Sequence, residues 1–193
     1  SARVRNLADQ NSGIQAAYYC FIDRYRQVPG DWSAGAATTA IGQTINTGGN
    51  GNGRIDIDDS NFTESGAVWE QLSKAGFISG NYVGSANETE YRANAPVNAF
   101  NGPVLLKRTD DYQGTSPERL GFMFGEQIPV SIMRELDVKL DDGQPTTGIL
   151  RFVDPSGDDG SAGVYDDASA DCISGSDWNI TANSQDCTVV FFY

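Results

Sequence analysis

The residues best suited to chemistry are acidic and amide side chains set among glycines. The stretch GGNGNGRIDIDD, residues 48 to 59, ends in three aspartates. Aligned as an EF-hand-like loop, it places Asn50 and Asn52 at the third and fifth positions and Asp59 at the twelfth. The first position would be Gly48, which has no side-chain ligand, and no GK[ST] follows that would make a phosphate cradle. We interpret the stretch mainly as turn chemistry, with a calcium site at Asn50, Asn52 and Asp59 as the weaker hypothesis.

The composition excludes most catalytic arrangements. The chain has no histidine, so it has no Ser-His or Cys-His nucleophile pair and no histidine metal ligand. Its three cysteines lack the CxxC spacing typical of zinc sites. Paired carboxylates of the glycosidase kind remain conceivable among 26 acidic residues, but no spacing favours a pair. We therefore expect a protein that is not an enzyme.

The charge distribution bears on partners. The formal net charge is -13, and the 13 basic residues are scattered along the chain. No basic stripe is available to neutralise phosphates, so nucleic-acid binding is not expected. An anionic membrane surface is disfavoured for the same reason.

The cysteines predict one disulfide. Cys172 and Cys187 lie in a loop-rich C-terminal segment, where a bond would close a loop and stabilise the fold by about 3 kcal/mol. Such a bond implies an oxidising compartment. Cys20 is left over in a helical setting, where a small buried apolar side chain is the favoured interpretation over a reactive thiol.

The first part of the chain predicts a long helix over residues 3 to 28, ended by Pro29-Gly30. The beginning is poorly capped, because Arg3 and Arg5 stand where the helix dipole disfavours cations. This beginning suggests a processed fragment, with a frayed terminus as the alternative. Side chains at alternating steps of three and four residues form a single seam along this helix: Val4, Leu7, Asn11, Ile14, Tyr18, Phe21, Tyr25 and Val28. The end of this seam nearest Ser1 is expected to be partly exposed.

Further elements follow from periodicity and turn signals. Two more helices are expected, at 63 to 75, with Asn61 and Glu64 in capping-box spacing, and at 129 to 139. Strands are expected at 103–109, 119–126, 148–153 and the C-terminal CTVVFFY, the first two forming an antiparallel pair. Loops are expected at 33–53, 80–102 and 154–186. These elements predict an α+β fold: a long N-terminal helix packed on an antiparallel β-sheet of about four strands, with short extra helices and a disulfide-bounded C-terminal loop region.

The chain reads as one domain over residues 1–193. It comprises the helix at 1–29, a connecting region with a short helix at 30–102, and the sheet with its disulfide region at 103–193. No internal repeat or linker-like boundary interrupts it.

Several stretches, in this order, resemble the type IV pilin and type II secretion pseudopilin superfamily. They are AYYCFIDRYRQVPGDW, GNGNGRI, ESGAVWEQLSKAGFISGNY, LDVKLDDGQPTTG and the final C…SGSDWNI…CTVVFFY. The resemblance implies a lollipop-shaped subunit whose helix packs partly on the sheet and partly in a filament core. Members also carry a cleaved leader and an apolar first half of that helix, neither of which is present in this chain.

The resemblance carries expectations for function. It implies a structural subunit of a bacterial type IV pilus or pseudopilus, acting in surface adhesion, motility or secretion. Its partners would be identical or related subunits, and the inner membrane would hold it through the N-terminal helix before assembly on the cell surface or in the periplasm. The stretch from 154 to 171 is similar to the calcium loop of major pseudopilins, with a solvated acidic loop as the alternative. Its candidate ligands are Asp158, Asp159, Asp166, Asp167 and Asp171.

A second class of function stays open. The chain could be a secreted calcium-dependent adhesin or carbohydrate-binding module, with Trp32 and Trp178 as exposed ligand platforms. Ordinary packing is the alternative for both tryptophans. Calcium is the one cofactor that either hypothesis suggests.

Overall fold

The computed structural model describes residues 1–56, 61–156 and 169–193. Within these ranges the chain forms an α+β fold with five α-helices, which are α1 (Ala2–Tyr25), α2 (Ala34–Ile41), α3 (Thr63–Lys74), α4 (Glu88–Asn94) and α5 (Val130–Leu140). The strands are β1 (Leu105–Thr109), β2 (Arg119–Met123), β3 (Leu150–Phe152), β4 (Ile173–Ser174), β5 (Asp177–Trp178) and β6 (Val189–Phe192). No helix in the described ranges is both long and apolar enough to cross a membrane.

Helix α1 starts better than its sequence suggests. The Ser1 hydroxyl accepts a hydrogen bond from the Val4 amide at 3.2 Å, which is ordinary N-cap chemistry. The Arg3 guanidinium lies 4.7 Å from the centre of the Phe100 ring, a cation–π contact that offsets its unfavourable place in the dipole. At the other end, Arg26 adopts a left-handed conformation at φ 56°. The helix therefore ends before the predicted Pro29-Gly30 stop.

The buried face of α1 runs its whole length, which corrects one expectation. Val4 and Leu7 are 2% and 0% exposed, so the end of the seam near Ser1 is not partly exposed. The reason is that α5 packs along α1, and Val4 and Leu7 belong to the same hydrophobic core as the sheet. The polar member of the seam, Asn11, is also buried because the Tyr193 hydroxyl donates to its side-chain oxygen at 3.1 Å.

The main sheet has four strands in the order β1-β2-β6-β3, all antiparallel. This order places the C-terminal strand between β2 and β3, so the last residues of the chain lie inside the sheet. Tyr193, just after β6, contacts the Tyr18 ring of α1 at 6.0 Å and stacks on Phe122 of β2 at 6.2 Å. The end of the chain thus joins the helix to the sheet.

The loops expected from the sequence contain more structure than predicted. Helices α2 and α4 lie inside the stretches read as loops at 33–53 and 80–102, and a β4–β5 hairpin lies within 154–186. The capping box at α3 is also wrong. Asn61 accepts from Thr63, but Glu64 accepts instead from the amide of Asp56. Just after α3, Gly76 adopts a left-handed conformation at φ 86°, which is typical of a glycine that follows a helix end.

The predicted disulfide is confirmed and the interpretation of Cys20 is wrong. Cys172 and Cys187 are bonded, with their Cα atoms 5.6 Å apart. Cys20 is a free thiol, as expected, but it is exposed rather than buried. It lies on the outward face of α1, opposite the seam.

Candidate functional site

The glycine- and asparagine-rich loop is organised by a carboxylate that lies far back in the sequence. Asp31 is buried, and its two carboxylate oxygens accept from three successive loop amides. Oδ1 accepts from Gly51 at 3.0 Å and Asn52 at 3.2 Å, and Oδ2 accepts from Gly53 at 2.7 Å. A concave run of backbone amides of this kind is what binds an anion. Here the protein's own carboxylate occupies it, so these amides are not available to a phosphate.

The side chains of the same loop make Asx turns. Asn50 Oδ1 accepts from the Asn52 amide at 3.1 Å, and Asn52 Oδ1 accepts from the Arg54 amide at 3.0 Å. The Asn52 amide group also donates to Asp56 at 2.7 Å. These bonds are turn chemistry, which supports the main interpretation of the stretch. The third predicted ligand, Asp59, lies outside the described residues, so the calcium hypothesis for this loop stays a prediction.

A groove of about 530 Å³ borders this loop. Its walls carry two carboxylates, Asp56 and Glu64, together with the amide of Asn61 and backbone of residues 48 to 50. Burial raises the pKa of Glu64 to about 7, and the charges of Asp31 and Asp56 add to that effect against the hydrogen bond from the Asp56 amide. Because Glu64 lies beside other carboxylates, its negative charge can be neutralised by a proton. A bound cation would instead stabilise its ionised form.

The C-terminal acidic stretch is only partly described. Asp158, Asp159, Asp166 and Asp167 lie outside the described residues. Asp171 is exposed in a short 3₁₀ turn beside Cys172, and its amide donates to Ser169 at 3.3 Å. The predicted ligand set at 154–171 stays a prediction.

A third acidic group was missed by sequence reasoning. Asp137, Asp141 and Asp142 each offer a carboxylate oxygen within 4.8 Å of the others, at the C-terminal end of α5. Within the described residues, these are the three carboxylate side chains that lie close enough together to share a metal ion. Its signal in the sequence is LDVKLDD, where a spacing of four and five residues brings the three onto one helical end.

These three aspartates also organise the connection from α5 to β3. One Asp141 oxygen accepts from the Ile149 amide at 2.8 Å and from the Leu150 amide at 3.1 Å. Asp142 accepts from the Gln144 amide at 2.9 Å and from the Thr147 hydroxyl at 2.5 Å. The carboxylate oxygens of Asp141 and Asp142 thus accept hydrogen bonds that hold the loop, which is a structural role that requires no ion.

Asp137 differs from the other two because it is fully buried. Its Oδ2 accepts from the Trp178 indole nitrogen at 2.8 Å, and its Oδ1 accepts from the Gly143 amide at 3.2 Å. Burial raises its pKa to about 7. The Trp178 and Gly143 hydrogen bonds oppose this shift, and the charges of Asp142 and Asp141 reinforce it. Strongly perturbed carboxyl groups are concentrated at functional sites, although buried structural networks produce them too.

The tryptophans do not form exposed platforms. Trp178 is 7% exposed and packs edge-on against Phe152. Trp32 is half-buried between Phe21 and Tyr25 of α1, with ring centres at 5.9 and 5.2 Å. The packing alternative is correct for both side chains.

Comparison of the chain with protein-family models, with curated proteins and with solved structures finds no match in any of the three.

Proposed function

We propose that this chain is the folded region of a structural subunit of a bacterial type IV pilus or related pseudopilus. It would serve in surface adhesion, motility or secretion rather than in catalysis. Its partners would be identical or related subunits, and an N-terminal helical segment would anchor it in the inner membrane before assembly. The proposal rests first on the order of the resembling segments along the chain, from AYYCFIDRYRQVPGDW to CTVVFFY.

The observation that carries the proposal is the placement of α1. It is a 24-residue N-terminal helix whose buried residues, from Val4 to Phe21, form one face. This face packs on α5 and shares one hydrophobic core with the four-stranded antiparallel sheet. A disulfide joins the C-terminal segment next to that sheet. This architecture agrees with what the resemblance implies for a subunit that presents a helix on one side and a sheet on the other.

The outward face of α1 offers a contact surface for a neighbouring subunit. Tyr19 is 48% exposed there, and it borders a shallow groove of about 380 Å³ with Cys20, Ile22, Asp23 and Arg26. An exposed aromatic ring beside an apolar groove is a typical anchor in protein–protein interfaces. We assign this groove to contact between subunits.

The test is to express the gene with all coding sequence upstream of Ser1, together with a prepilin leader peptidase, and to image the product by electron microscopy. We expect filaments that bind antibodies to this chain. Tyr19→Glu should reduce the number of filaments at least ten-fold, because it places a charge in the subunit contact. Val83→Glu is the matched control, since Val83 is 42% exposed and does not border this groove.

Both variants should keep the melting temperature of the isolated chain, because both side chains are exposed. A gene product that stays dispersed with the peptidase present would refute the filament proposal. Equal filament yield from the two variants would refute the assignment of the groove.

The alternative is a secreted calcium-dependent adhesin, and the acidic groove beside Glu64 is the observation that favours it. Calcium bound between Asp56 and Glu64 would raise the melting temperature relative to the same buffer without calcium, and a chelator would reverse the change. Binding to a glycan array that is lost in chelator would support this alternative. An unchanged melting temperature in millimolar calcium would remove it.

A further inference from the structure

The chain contains three asparagines that are followed directly by glycine, at positions 50, 52 and 101. Asparagine is a thermolabile residue, because the backbone nitrogen of the next residue can attack its side-chain carbonyl carbon. A following glycine favours this attack, since it has no side chain and the most mobile backbone. In each of the three pairs the glycine N–H donates to a buried side chain outside the pair, which is Asp31 for the first two and Asn98 for the third.

The reaction of such a pair requires only water. For the second pair, the Gly53 nitrogen loses its proton to solvent and forms a bond with Cγ of Asn52, while the bond from Cγ to Nδ2 breaks. Nδ2 takes up a proton and leaves as ammonia, and the product is a cyclic succinimide. Water then opens the ring at either of its two carbonyl carbons and leaves aspartate or isoaspartate. Nothing is oxidised or reduced, so no cofactor is needed.

The surroundings of Asn52 favour this reaction. Its Oδ1 accepts from the Arg54 amide at 3.0 Å, and a backbone donor on a carbonyl oxygen stabilises the negative charge that develops there during attack. Asn52 and Gly53 are both exposed, so water reaches the carbon that is to be hydrolysed. Gly53 has a φ of 84° and open space where a Cβ atom would stand. Neighbouring side chains therefore do not prevent the loop from moving at this point.

The restraint on this reaction is a single hydrogen bond from the attacking nitrogen. The Gly53 amide donates to Oδ2 of Asp31 at 2.7 Å, and among the described residues this is its acceptor. Ring closure turns the Gly53 nitrogen towards Cγ of Asn52 and removes its proton, so the bond to Asp31 has to break first. The negative charge of the carboxylate also opposes loss of a proton beside it. The Gly51 amide is held twice, by Oδ1 and by the backbone carbonyl of Asp31 at 2.9 Å.

We propose that Asn52 is a deamidation site and that Asp31 restrains it. Asn52 is converted to aspartate or isoaspartate when the Gly53 amide leaves Asp31, and local opening of the loop sets the rate, without unfolding of the whole chain. The new carboxylate replaces the amide group that donates to Asp56, and so adds a repelling charge at this point of the loop. The inference concerns this loop alone and does not depend on the filament proposal.

The test is peptide mapping by mass spectrometry after incubation of the full chain in mildly alkaline buffer with a chelator. In concentrated urea the three asparagines should react at similar rates, because each is followed by glycine. In the folded chain all three should be slower, and Asn52 should react before Asn101, because Gly53 is exposed whereas Gly102 is buried. Asp31→Ala should raise the rate of Asn52 relative to Asn101 by at least about ten-fold. Asn50 should respond less, since residue 31 keeps its backbone carbonyl.

Leu7→Ala is the matched control, because it removes a fully buried side chain of α1 and leaves the loop and its hydrogen bonds in place. It should not change the rate of Asn52 relative to Asn101. Asp31→Asn keeps the test informative if Asp31→Ala fails to fold, and should raise the ratio less, since a neutral amide is a weaker acceptor. An unchanged or lower ratio in both Asp31 variants would overturn the proposal. So would an equal increase in Leu7→Ala, or a folded chain in which Asn101 reacts before Asn52.

Discussion

Asp31 illustrates how one buried carboxylate can hold a glycine-rich loop. Replacing it with alanine removes the charged acceptor of the Gly51, Asn52 and Gly53 amides. Gly51 and Asn52 keep a second, uncharged acceptor, whereas the Gly53 amide loses its carboxylate partner. Hydrogen bonds to a charged acceptor are stronger than neutral ones, so Asp31→Ala should lower the free energy of unfolding by about 3 kcal/mol. Urea unfolding measures this change. Asp23→Ala is the control, since Asp23 is exposed on α1 and should cost less than about 0.5 kcal/mol; equal effects would contradict the role of Asp31.

Cys20 gives a second prediction at this scale. It is the free thiol of the chain and is exposed on α1, so a water-soluble alkylating reagent should modify it in the folded protein. Cys172 and Cys187 are fully buried and bonded, and should react only after reduction. Mass spectrometry of the native, unreduced chain should find one adduct. Two or more adducts, or none, would disagree with this arrangement.

The residues that sequence reasoning missed are those whose partners lie far away along the chain. Asp31 contacts amides some twenty positions later, and no local pattern distinguishes it from other aspartates. Asp137 contacts Trp178 across 41 positions. In the sequence Trp178 is simply an aromatic side chain, because nothing in its neighbourhood indicates that its indole donates to a distant carboxylate. The turn residues Asn50 and Asn52 were readable because their bonds are local.

At the scale of the elements, α1 shows how packing decides the fate of a sparse apolar seam. Leu7 is fully buried although few large side chains surround it in sequence. Leu7→Ala should therefore cost about 3 kcal/mol, the usual range for a fully buried leucine. Val138→Ala is the control on α5, because Val138 is 63% exposed. A cost below about 1 kcal/mol for Leu7→Ala, measured by urea unfolding, would mean that this end of α1 is loosely packed.

The elements predicted from sequence are those with a strong apolar period. Helices α1, α3 and α5 and the strands of the main sheet each bury several large side chains, and their type was correct although most ends were misplaced. Helices α2 and α4 each bury a single residue, Ala37 and Tyr91 respectively. Neither has an apolar stripe to reveal it, and α2 is composed largely of alanine, glycine and threonine. Their existence depends on the surrounding fold, which periodicity does not encode.

At the scale of the whole molecule, one hydrophobic core cluster includes residues of α1, α3, α5 and all four strands of the main sheet. The acidic side chains are distributed around this core and give the chain its net charge of -13. Self-repulsion of that charge destabilises the compact state at neutral pH and weakens as carboxylates are protonated. Glu64 and Asp137, whose pKa values are raised by burial, act in the same direction.

We expect the protein to be more stable in mild acid than at neutral pH. Burial raises the pKa of Glu64 from 4.5 to about 7 and that of Asp137 from 3.8 to about 7. Each group thus binds its proton more tightly in the folded chain. The stability that this proton contributes is present at the acid end and is lost as the pH rises through about 7.

Two other carboxyl groups set the lower limit of this window. Burial works against ionisation of Glu70, but the hydrogen bond from Lys74 and those from the amides of residues 46 and 47 outweigh it, so its pKa lies below the ordinary value. Burial is likewise outweighed at Asp142 by the hydrogen bonds from Thr147 and Gln144, and its pKa is also lowered. Their contribution is present above the unfolded pKa and is lost as the pH falls below about 4. Stability should therefore be greatest near pH 5.

Calorimetry at about pH 5 and about pH 8 should show a melting temperature several degrees higher at the lower pH. Glu64→Gln should reduce the difference, since the amide keeps the side-chain shape and does not titrate. Asp9→Asn, at an exposed position on α1, should leave it unchanged. A melting temperature that is higher at about pH 8 would mean that Glu64 and Asp137 are ionised in the folded protein and compensated there, as a bound cation between the carboxylates would achieve.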